Sequence, residues 1–159
     1  MTKTETDTTS AANENNCSVE KTDQAISELY KNVTMAQNCV KTLLPYVQEG
    51  EVTKSLHQQV EQYDKYIEQI GTVGKNLNFD PSPAPKALVS MANMGIRAKM
   101  MMDKSTTHVA KLMLQGTLNG IIDLYRLMKE QDIHPDVALL EKQVLRYEEG
   151  RFEDVKRWL

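Results

Sequence analysis

Cysteine is scarce in this chain. Cys17 and Cys39 are the only two, too few for a disulfide framework, and they lack the CxxC spacing that zinc or dithiol redox chemistry requires. Long apolar runs are missing as well. No stretch approaches the roughly 18 residues of a membrane span, and the N-terminus, rich in Thr, Asn and acid, lacks the basic flank and apolar run of a secretory leader. These absences predict a cytoplasmic chain with no membrane partner. Charge of one sign is also lacking. The formal net charge is −3, and Met1 to Glu20 carries one Lys against four acids, which leaves bases and acids balanced in the remainder. A neutral body with interspersed signs has no Lys/Arg stripe to neutralise phosphates, so no nucleic-acid partner is expected. Aromatics amount to 6%, and strand-favouring runs of Val, Ile and Tyr are absent, which favours helix before any periodicity is read.

Helical periodicity is what remains. The 159 residues suffice for one domain with its own core. Residues 1–21 show no apolar period and predict a disordered polar tail, with a single domain over 22–159. From Thr22 to Gln48, Ile26, Leu29, Val33, Ala36, Val40, Leu44 and Val47 recur at three or four, the spacing of an amphipathic helix, which Pro45 should bend or end. A second helix is expected from Glu51 to Ile70 on Val52, Leu56, Val60, Tyr63, Ile67 and Ile70, stopped by Gly71-Thr-Val-Gly74. The run Asp80-Pro-Ser-Pro-Ala-Pro85 excludes regular structure and predicts a stiff crossover.

Residues 85–131 keep one angular phase and read either as one long bent helix or as two joined at Asp103 to Thr106. Asp and Ser caps favour two. The segment Ser105 to Gln131 is apolar over most of its circumference, which predicts a central helix or one facing a partner chain. Its Gly116 and Gly120 would let another backbone come close. A last helix follows Asp132-Ile-His-Pro135-Asp136, on Val137, Leu140, Val144, Tyr147, Arg151, Val155 and Trp158.

Chemistry-bearing motifs are few. Tyr147-Glu148-Glu149-Gly150-Arg151-Phe152-Glu153 resembles the closing helix of rubrerythrin-like and other ferritin-like proteins. There a glutamate and a histidine three residues later bind iron or manganese, because that spacing aims both at one point. Glu148 matches the glutamate, and Arg151 stands where the histidine would be. Arginine cannot ligate a metal. The resemblance implies an all-α fold, a ferritin-like up-down four-helix bundle with a fifth helix or one long bent helix, of the metal-free kind found among bacterial spore-coat-type relatives. Both Glu148 and Arg151 fall on the inward stripe, and a buried guanidinium persists only when paired. A structural Glu148–Arg151 ion pair, joined by Asp64 or Gln37, is therefore predicted at the place of the metal.

No catalytic residue, cofactor-binding motif or complete metal site is expected. The weak metal candidates are Glu148, His57, Glu61 and Asp64, the last three with Glu68 along one edge of the second helix. Met91, Met94, Met100, Met101, Met102 and Met113 read as packing residues, with a partner-binding surface as the other use of such side chains. His108, in Ser105-Thr-Thr-His108, reads as a surface or capping histidine. The glycine pairs lack the Lys-Ser/Thr context of a phosphate loop. A non-enzymatic bundle follows, acting through self-association as a homo-oligomer or by binding another helical protein. A ferritin-like iron or manganese binder with a degenerate site is the alternative.

Overall fold

The structure, a computed structural model, describes residues 6–130 and 132–159, with side chains from Asn16 onward apart from Cys17. Met1 to Glu5 of the expected tail, and the Cys17 side chain, lie outside that description. The described residues form five α-helices and no strand: α1 (Thr6–Leu43), α2 (Glu51–Asn76), α3 (Lys86–Met102), α4 (Thr106–Leu127) and α5 (Pro135–Lys156). None is long and apolar enough to cross a membrane.

α1 is the hub, packing against each of the other four helices. Ile26, Leu29 and Val33 are fully buried, and between Thr22 and Leu43 only Asp23, Gln24 and Lys41 are exposed. Pro45 stops it as expected, inside a short 3-10 turn over Leu44–Tyr46. α1 starts at Thr6, so its helical backbone includes residues 6–21. Once a buried stripe has nucleated a helix, extension costs little per residue. The turn before Thr22 also docks. Ser18 Oγ donates to the Asp132 carbonyl at 2.9 Å, Thr22 Oγ1 accepts from the His134 amide at 3.0 Å, and Lys21 lies 3.0 Å from Glu130.

α2 runs past the expected glycine stop. Its helix continues to Asn76 and closes with Phe79 N–H donating to the Gly74 carbonyl at 2.8 Å and Asn78 N–H to that of Lys75 at 3.2 Å. Asn78 takes the left-handed conformation that this closure requires (φ 60°). Gly74 serves packing instead: a Cβ there would meet Pro81 Cδ at 2.9 Å, so glycine lets the crossover fold back onto the helix. Its buried stripe is also rotated from expectation. Gln59 and Tyr66 are buried with Leu56, Tyr63 and Ile70, whereas Val60 and Ile67 are half-exposed.

α3 and α4 are separate helices. Asp103 is extended, and Ser105 Oγ caps α4 by accepting from the His108 amide at 3.2 Å. α4 packs on α1 and α5, and α3 chiefly on α1. The central role expected of Ser105 to Gln131 thus belongs to α1, and one α4 stripe, Leu118, Ile122 and Tyr125, faces outward. Pro135 opens α5, whose Val137, Val144 and Val155 are sealed in the core.

Candidate functional site

Two helices, α2 and α5, bring polar groups together in the apolar interior. Tyr63 of α2 and Glu148 of α5 are each 2% exposed, and the Tyr63 hydroxyl donates to Glu148 Oε1 at 2.7 Å. Burial pushes the Glu148 carboxyl above its usual range, opposed by the Tyr63 hydrogen bond and the nearby Arg151 charge. Burial raises the Tyr63 phenol strongly, and the adjacent carboxylate adds to the rise. Tyr147 stands edge-on to Tyr63 and Tyr66, with ring centroids 5.7 and 5.6 Å away. Arg151, also buried, lies over the Tyr147 ring at 5.9 Å.

The expected Glu148–Arg151 ion pair is corrected by this arrangement. Among the described residues no direct hydrogen bond or ion pair joins the two. Spacing put both on one face, but the phenol reaches the carboxylate first and the aromatic ring takes the guanidinium, leaving Arg151 Nε buried with no hydrogen-bond partner. Gln37 and Asp64 bond to one another, Gln37 Nε2 donating to Asp64 Oδ1 at 2.5 Å. His57, Glu61, Asp64 and Glu68 line the exposed edge of α2, and no group of three or more His, Cys, Asp or Glu among the described residues could hold a metal.

Beside this cluster a cleft of about 760 Å³ opens between α1, α3 and α4. Val40, Leu43 and Met113 give it apolar walls, and Gln59, Tyr63 and Glu148 reach its lining from the far side of the bundle. The Oε1 of Gln59, a residue 2% exposed, has no hydrogen-bond partner among the described residues. Cys39 borders the cleft, its thiol pushed up by burial. The cleft exists because its seams carry small residues. Gly116 and Gly120 both line it; a Cβ on Gly116 would meet nothing within 4 Å, and one on Gly120 would find only the Asn32 amide at 3.7 Å. Close backbone approach at these glycines, expected from their spacing, does not occur.

Of the methionines read as packing, Met100 and Met113 are buried, whereas Met91, Met94, Met101 and Met102 are 68 to 88% exposed on the outer face of α3. Amphipathic phase alone could not assign that face, since apolar residues surround α3 on nearly every side. His108 donates its amide to the Ser105 cap and lies 3.9 Å from Asp103, with Nε2 buried and without a hydrogen-bond partner among the described residues. In the sequence Tyr63 reads only as a stripe residue, and Gln59 falls outside the expected stripe. The signal available for both was a polar tip on a buried helical phase. Compared with known protein families, curated proteins and solved structures, the chain matches none.

Proposed function

We propose that this chain is a non-enzymatic helical-bundle protein of ferritin-like architecture that acts by association, its partner being a second copy of itself. The observation that carries the reading is the outer face of α3, where Met91, Met94, Met101 and Met102 stand exposed together. Thioether side chains are flexible and apolar, suited to a surface that must repack against another helix. Charge supports a second copy as the occupant. α3 contributes Lys86, Arg97 and Lys99 and no acid, while the exposed edge of α2 presents Glu61, Asp64 and Glu68. A two-fold pair can set each α3 against the other copy's α2. On this reading neither Glu148 nor Arg151 takes part in the association.

Sedimentation equilibrium tests this, run with metal analysis of the same purified protein. Twice the chain mass is expected at micromolar concentration, falling toward the single-chain value in Met91→Glu/Met102→Glu. A wild-type chain that stays monomeric overturns the association. Stoichiometric iron or manganese overturns the metal-free reading.

A further inference from the structure

The cleft between α1, α3 and α4 differs from an ordinary packing defect in what lies at its buried side. Most of the lining is apolar, yet it includes Glu148 and Gln59, each 2% exposed and so at the buried side of the cleft. Glu148 Oε1 is held by the Tyr63 hydroxyl. No described residue donates to Glu148 Oε2, and Gln59 Oε1 lacks a donor as well. Buried acceptors are normally satisfied, because an unmade hydrogen bond at such a site costs about as much as the desolvation of the group. The lining therefore offers one buried acceptor short of a donor, Gln59 Oε1, and a carboxylate whose Oε2 no described residue engages. The rim is different: Lys31 is paired with Glu28 at 2.7 Å and Arg126 with Asp123 at 3.1 Å.

We propose that this cleft is a binding site for a small amphipathic amine, its ammonium donating to Glu148 Oε2 and Gln59 Oε1 and its hydrocarbon body lying along Val40, Leu43 and Met113. An ammonium carries three donors and no acceptor, which matches what the buried side lacks. A volume of about 760 Å³ is within the usual range for sites of this kind. A fatty acid fits the same walls less well. Its carboxylate would face another carboxylate at the buried side, or would stay at the rim and press its alkyl end against Glu148. The site is separate from the outer methionine face of α3, so binding and association stand or fall independently.

Calorimetric titration of the full chain with octylammonium, octanoate and 1-octanol tests the assignment. Octylammonium should bind at least tenfold more tightly than either of the others. Glu148→Gln should weaken octylammonium at least tenfold and leave 1-octanol unchanged. Gly116→Leu, which puts a side chain into open space and should fold normally, should abolish binding of octylammonium by filling the cleft. Octanoate or 1-octanol binding as tightly as the amine overturns the proposal. So does full affinity in Gly116→Leu, a result that remains readable even if Glu148→Gln fails to fold.

Discussion

α1 has two flanks, and they differ in the volume of the side chains at their seams. Toward α2 and α5 the seam is filled by Tyr63, Tyr66 and Tyr147, whose rings meet edge to face and enclose Glu148 and Arg151. Toward α3 and α4 the seam carries Ala84, Ala92, Gly116 and Gly120, and about 760 Å³ stays open. Helix axes cannot approach closely enough to compensate for missing side chains once other contacts have fixed them, so small residues at a seam become a cavity rather than a tighter junction. One flank is thus built to hold polar groups in place, and the other to admit something.

Truncating the closed flank has the largest expected effect. Leu56 is fully buried on α2, so Leu56→Ala should cost about 2 to 5 kcal/mol through lost transfer energy and a new cavity. A denaturant midpoint giving less than about 1 kcal/mol would mean that the tyrosine flank is as loosely packed as the other.

Glu141 sharpens the contrast between a buried acid with a donor and one without. It is 1% exposed, its Oε1 has no hydrogen-bond partner among the described residues, and burial raises its carboxyl from 4.5 to about 7. The folded state therefore binds this proton more tightly than the unfolded chain does. Its contribution is complete below pH 4.5 and is lost as pH rises to about 7, on the order of 3 kcal/mol in all. Glu141→Gln should remove that decline in stability between pH 4.5 and 7. Parallel wild-type and variant pH profiles would refute it.

Tyr63→Phe deletes a hydroxyl and leaves Glu148 Oε1 without its donor, for an expected loss of about 1 to 3 kcal/mol. If the variant unfolds at the wild-type midpoint, the phenol contributes nothing net to holding the carboxylate. The smallest effect is expected at the open seam. Gly116→Leu meets nothing within 4 Å at its Cβ and should change stability by no more than about 0.5 kcal/mol. A loss of about 1 to 3 kcal/mol, the overpacking penalty, would show that the cleft closes in solution.

Much of the closed flank was legible from phase. Val137, Leu140, Val144, Arg151 and Val155 on α5 are all buried as their spacing required, and Glu148 was placed inward with them. What phase could not supply was the partner. Glu148 and Arg151 lie one turn apart on the same helix, but a hydrogen bond to Tyr63 spans 85 positions of sequence, and no local rule pairs those residues. The open flank was less legible. Glycines four apart read as a place of close approach, and the same glycines serve equally to leave a gap; which occurs depends on where α1 and α3 lie relative to α4. The exposed methionines were misread for a similar reason, since a helix as apolar as α3 does not announce which of its sides will be covered.

By itself the sequence determined that the body is helical, that Pro45 stops α1, that α4 starts after Ser105 and that α5 opens at Pro135, because periodicity, the Ser105 cap and proline act within a few residues. It could not determine that α1 rather than α4 is the hub, that α2 continues through Gly71 to Asn76, or that a cleft is lined in part by a buried glutamate. Those outcomes depend on which of several competing apolar faces obtains a partner. That competition is decided by the joint packing of five helices, whose seams are set by side chains distant in sequence.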